Sequence, residues 1–171
     1  MSPLILGWTA VTSWYCGVVD EAVRWVGAGM RVAPDSPWVH WCGGYVLAAA
    51  GKRDEALVLL DRAAASGEAL MQDFATLLAR TLRGEPVERL ATLERSPVRL
   101  DPHGSQIIAE TYAAGGRRTE ALDWLRNAIS LGVVNGTYMA ARSPFFASLR
   151  GDPEFQALVG EARARAARER I

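Results

Sequence analysis

Three stretches of this chain repeat one local pattern: a glycine, two or three residues, an acid, then an alanine that opens a run of apolar residues at helical spacing. They read GVVDEAVRWVGAG from Gly17, GKRDEALVLLDRA from Gly51 and GRRTEALDWLRNA from Gly116. Gly17 and Gly51 lie 34 residues apart, and Gly51 and Gly116 lie 65 apart, close to two such periods. A period near 34 implies stacked helix pairs, each of which buries its apolar face only against its neighbours. The expected fold is therefore all-α, with each glycine making the tight turn into the second helix of a pair.

The same blocks carry their own start signals. Asp20, Asp54 and Thr119 stand where an N-cap is expected, and Glu21, Glu55 and Glu120 follow in the first turn, where the helix dipole favours negative charge. Ala22, Ala56 and Ala121 then allow a close approach to the preceding helix, and Val26, Leu60 and Leu125, four residues on, continue the same buried face. With half of its 171 residues hydrophobic, the chain has ample material for a continuous core.

Basic and acidic residues balance at 19 each, which gives no electrostatic reason to expect nucleic acid or an anionic membrane as a partner. Lys52 is the only lysine among the basic residues, a bias that reads as codon usage in a GC-rich bacterial genome. Cys16 and Cys42 sit among apolar residues in expected helices and read as a reduced pair of small buried hydrophobes. The uncharged stretch from Pro3 to Val19 lacks a basic leader and a small-residue cleavage site, so it reads as a repeat helix of a cytoplasmic protein. Only five of the first 50 residues are charged, against eight of the last 21, so the N-terminal face is expected to pack on a partner.

With these elements in place the chain resembles a tetratricopeptide repeat array. Pro34 in RVAPDSP and Pro102 in VRLDPHG match the proline that closes each unit of that family. The block from Pro102 fits best, with Ile108, Ala109 and Tyr112 in its first helix and Ala121, Leu125 and Ala128 in its second. The block from Pro37 keeps Gly44, Ala56, Leu60 and Ala63 but has His40 and Gly43 where Trp and Leu are usual. The resemblance implies one right-handed α-α superhelix over residues 1–171, with repeats at 3–36, 37–67, 68–101 and 102–135 and C-terminal capping helices over 143–168. The third repeat is degenerate: LMQDFATLLARTL and PVERLATLE are helical in period, but Ser96-Pro97 cuts the second helix short. The C-terminal run ALDWLRNAISLG with RSPFFASLRGDPEFQALV is similar to the closing segment of arrays that follow kinase, cyclase or winged-helix domains in bacterial multidomain regulators. There Ser143-Pro144 and Asp152-Pro153 each read as an N-cap and first helical residue.

In the repeat family the first helices line a concave groove. Carried over by position, the groove residues here are Trp14 and Tyr15, then Trp38, Trp41 and Tyr45, then Met71, Phe74 and Leu78, and last His103, Gln106 and Glu110. Such an aromatic strip implies an apolar protein or peptide partner, or a homodimer formed through the hydrophobic N-terminal helices. No kinase, P-loop or nucleophile-elbow motif is present. GAGM at Gly27 and CGGY at Cys42 fall inside expected helices and read as close-packing sites. His40 and Cys42, two residues apart, would point to different faces of a helix, so neither a metal site nor an activated thiol is expected, nor any cofactor. The expectation is a non-catalytic interaction scaffold.

Overall fold

A computed structural model describes residues 2–88 and 90–168, and among them the chain is helical throughout with no strand. It divides into two compact units, Met1–Glu85 and Pro86–Ile171. The first holds α1 (Pro3–Cys16), α2 (Val19–Val32), α3 (Pro37–Ala49), α4 (Arg53–Ala64) and α5 (Ala69–Arg83). The second holds the single turn α6 (Ala91–Glu94), a 3-10 turn over Pro97–Leu100, α7 (Pro102–Ala114), α8 (Arg118–Ser130), α9 (Gly136–Ala141), a 3-10 turn over Ala147–Leu149, and α10 (Pro153–Arg168).

The repeated blocks share one backbone turn. Gly17, Gly51, Gly84 and Gly116 all take positive φ, which only glycine adopts without strain. At each of them the glycine N–H bonds the carbonyl three residues back, and the next N–H bonds the carbonyl five back, as in Val18 to Ser13 and Lys52 to Leu47. That pair of bonds satisfies the last carbonyls of the helix and reverses the chain. The caps proposed from the blocks are displaced, however. The residues in the N-cap position are Val18, Lys52 and Arg117, at closely similar dihedrals (φ −92°, −88° and −89°), and none caps through its side chain. Asp20, Asp54 and Thr119 lie inside the first turn, so the acids there act through the dipole alone. Genuine caps stand before the prolines: Ser36 accepts from the Val39 amide, Asp101 from His103, and Asp152 from Glu154 and Phe155.

Within the first unit α1 packs on α2 and α3, and α3 packs in turn on α4 and α5. Missing side chains make this possible. A Cβ on Gly7 would stand 2.6 Å from the Trp38 indole nitrogen, and one on Gly44 would stand 2.6 Å from Leu60 Cγ. Gly29 and Gly43 are filled in the same way by Val39, Leu59 and Val26, so three of the four glycines in GAGM and CGGY are close-packing sites. Gly27 meets only the end of Arg31.

In the third block the second helix is the single turn α6, cut short between Pro86 and Pro97, and Ser96 caps the 3-10 turn that follows. One expectation about the C-terminal half is corrected. No helix starts at Pro144, where the chain makes only the 3-10 turn over Ala147–Leu149; Ser143 donates to the Glu110 carboxylate instead of capping. α10 forms as expected, and the short α9 precedes it without having been anticipated. Arg118 bonds Asp152 and Glu154, and Arg126 also reaches Glu154, so three ion pairs tie α8 to the start of α10.

Ala56 and Ala121 are fully buried, so replacing either with Arg places a long charged group in a close helix contact. Each variant should lose on the order of 3 kcal/mol or more of stability, read as a large fall in melting temperature. The Arg118 bond holds the Asp152 carboxyl below its ordinary value. A lowered pKa adds stability above the unfolded value, near ~4, and that stability is lost as pH falls through the folded one. The melting temperature of the second unit should therefore drop as pH falls from about 5 towards 3, and Asp152→Asn should flatten that part of the profile.

Candidate functional site

Six aromatic residues of the first unit, Trp8, Tyr15, Trp38, Trp41, Tyr45 and Phe74, form one row across α1, α3 and α5. Trp38, Trp41 and Tyr45 recur at i, i+3 and i+7, so α3 presents all three on one face. Trp38 lies 5.5 Å, centroid to centroid, from both Trp8 of α1 and Trp41. Trp41 stacks at 6.2 Å on Tyr45 and meets Phe74 of α5 at 5.0 Å with the ring planes tilted by 50°. Tyr45 meets Tyr15 of α1 edge-on at 6.4 Å, their hydroxyls 3.5 Å apart. These are the offset and edge-to-face geometries that aromatic pairs prefer.

This row corrects the expected open groove. Trp41 is 2% exposed and Tyr45 0%, while Met71, Phe74 and Leu78 are buried beside them. Gly7 lets α1 close on Trp38 and Cys42 of α3, and α5 packs on α3 from its own side, so the rings fill the space between helices instead of facing solvent. Trp14, Tyr15 and Trp38 remain half-buried. Trp8, also half-buried, joins Trp38, whose indole N–H donates to the Leu4 carbonyl at 3.3 Å, and Leu4 itself is 53% exposed. Leu4, Trp8, Tyr15 and Trp38 thus form an accessible aromatic edge. Trp8 was not singled out from the sequence; its place seven residues before Tyr15, next to Gly7, is the signal that marks it.

The fourth set of groove positions belongs to the second unit and is closed differently. His103 is exposed, but Gln106 and Glu110 are fully buried. The segment after α9 folds back over α7: Ser143 Oγ donates to Glu110 at 2.8 Å and Ser148 Oγ to the Ala113 carbonyl at 3.1 Å. Neither end of the Gln106 amide has a hydrogen-bond partner among the described residues.

Groups with catalytic potential are placed unfavourably. Cys42 is buried beneath Gly7, and burial pushes its thiol well above the ordinary value, the opposite of an activated thiolate. His40 is turned away, with Nε2 2.6 Å from the Pro34 carbonyl, where it fastens α3 to the preceding turn. Among the described residues no three His, Cys, Asp or Glu side chains come together as a metal site requires. A cleft of about 380 Å³ beside α8 is lined by Arg99, Arg118 and Arg126. Each of these arginines is bonded to a carboxylate, so the cleft carries no surplus charge for an anion. No helix among the described residues is long and apolar enough to cross a membrane.

Set against protein-family models, curated proteins and solved structures, the chain matches none.

The burial pattern separates the two ends of the row by stability. Trp41→Ala should cost about 3 to 5 kcal/mol of folding free energy. Trp38→Ala, at a half-accessible ring, should cost clearly less, as measured by denaturant unfolding with the slope held in common.

Proposed function

We propose that this chain is a non-catalytic protein–protein interaction module of the tetratricopeptide type, its helix pairs stacked as a right-handed superhelix. In this reading it works in the cytoplasm as part of a larger bacterial signalling or regulatory protein. One observation carries the proposal: the aromatic row is core along most of its length, but Leu4, Trp8, Tyr15 and Trp38 leave its α1 edge accessible. A soluble chain that keeps tryptophans half-exposed next to an exposed leucine has surface of the kind that marks binding sites.

The partner fitting this edge is an apolar segment of another protein. α1 carries no charged residue, so recognition rests on burial of apolar surface and not on ion pairs. Trp8 and Trp38 already touch each other, which restricts their rotamers before binding and lowers the entropy cost of ordering them. Of the groove residues expected from the resemblance, Tyr15 and Trp38 stay in the proposed surface, Trp14 is half-buried outside it, and Trp41, Tyr45, Met71 and Phe74 are buried.

Trp38→Ala and Trp8→Ala should each weaken binding of a partner isolated from the native lysate by about 1 to 3 kcal/mol, while His103→Ala leaves it unchanged. Calorimetry with the purified partner measures this. Unchanged affinity in both tryptophan variants, with the fold intact by circular dichroism, would place binding elsewhere.

A further inference from the structure

Two arginines of the second unit, Arg150 and Arg163, pair with no carboxylate among the described residues, and both line the same cleft. It measures about 320 Å³ and opens between α9, the turn after Leu149 and α10, where Ala140, Phe155, Gln156 and Val159 complete its lining. Elsewhere in this unit Arg99, Arg117, Arg118 and Arg126 each bond a carboxylate. Arg150 donates instead to the Ser143 carbonyl at 3.1 Å, which leaves most of its five N–H groups unused. The acids of this region are engaged on other sides: Asp152 and Glu154 with Arg118 and Arg126 of α8, and Glu110 with the Ser143 hydroxyl. Glu161, two residues before Arg163, stands about 200° round the helix from it. Unlike the cleft beside α8, this one therefore keeps a surplus of positive charge.

Both arginines are fixed at the base. A Cβ on Gly136 of α9 would stand 2.8 Å from Arg163 Cγ, so the stem of Arg163 lies in the space that this glycine leaves. Gln156 Nε2 donates to the Arg150 carbonyl at 3.0 Å and ties the turn to α10. Such restriction lowers the entropy cost of ordering the two side chains around a ligand. Phe155 and Val159, both buried, give the cleft an apolar floor.

We propose that this cleft binds a small organic carboxylate, its carboxylate group held by Arg150 and Arg163 and its apolar part laid over the floor. A planar carboxylate matches the fork of N–H groups that a guanidinium presents, and it supplies the charge that the cleft lacks. Phosphate suits the site less well. It is favoured by free backbone N–H groups at a helix start, and at the start of α10 the Glu154 and Phe155 amides already donate to the Asp152 carboxylate. The proposal does not depend on the aromatic edge, which belongs to the first unit.

Calorimetric titration of the 171-residue chain with 3-phenylpropionate, its neutral amide and inorganic phosphate tests it. The carboxylate should bind at one site with a dissociation constant on the order of 1 mM, the range open to so small a ligand, while the amide and phosphate bind much more weakly. Arg163→Gln, at an exposed position, should raise that constant about tenfold or more with the melting temperature unchanged, and Arg150→Gln should raise it likewise. Arg24→Gln, an exposed arginine of the first unit, should leave it as it was. No saturable binding of 3-phenylpropionate up to its solubility limit would overturn the proposal. So would equal binding of the amide or of phosphate, or an equal loss in Arg24→Gln. None of these results bears on the partner affinity of the Trp8 and Trp38 variants, so the two readings fail separately.

Discussion

Close approach between helices, made possible where one helix lacks a side chain and its neighbour supplies a large one, is the constraint on which the rest of this structure depends. Trp38 fills the space above Gly7, Leu60 the space above Gly44, Val39 the space at Gly29 and Val98 the space at Gly104. Each interior glycine costs about 1 kcal/mol of helix propensity against alanine, so these sites persist only because the contact they permit gains more. The functional consequence follows directly. α3 is enclosed so completely that ten of its thirteen residues are buried, and it offers almost nothing to a partner beyond Trp38. In the proposed reading the surface left for a partner is on α1, which has α2 and α3 on one side and exposed residues on the other.

The second unit is held by a different balance. Its α7 face carries Gln106 and Glu110, polar groups that would suit an open groove, yet both are enclosed and Glu110 relies on the Ser143 hydroxyl. Asn127 bridges the Arg99 carbonyl and Ser105 Oγ, and Arg99 lies 4.3 Å from the Trp124 ring centre while pairing with Glu94 and Asp123. Charged and amide groups thus do at α8 what aromatic rings do at α3. Such contacts depend on pH and salt more than ring packing does, so the two units should respond differently to solution conditions.

Features set by local chemistry were legible in the amino-acid sequence. The glycine turns, the proline-led helix starts at Pro37, Pro102 and Pro153, and the glycine packing sites all follow from requirements met within a few residues or within one period. What depended on distant partners was not. Whether Trp41 faces solvent is decided by how near α1 and α5 lie, which no spacing within α3 records. Glu110 read as a surface residue because the Ser143 that meets it lies more than thirty residues further along the chain. The displaced caps have a subtler cause: an acid at the second or third helical position suits the dipole as well as a cap suits the free amides, and the two look alike in a string of letters.

The central claim is that the aromatic row is a closed core with one accessible end. Fluorine NMR of the protein labelled with 5-fluorotryptophan tests it most directly, through the change of each resonance when water is replaced by deuterium oxide. Trp41 and Trp124, at 2% and 0% exposure, should show no shift, while Trp8, Trp14 and Trp38 should each show one. A solvent shift at Trp41 as large as that at Trp38 would mean that the row is an open groove, and would contradict the account.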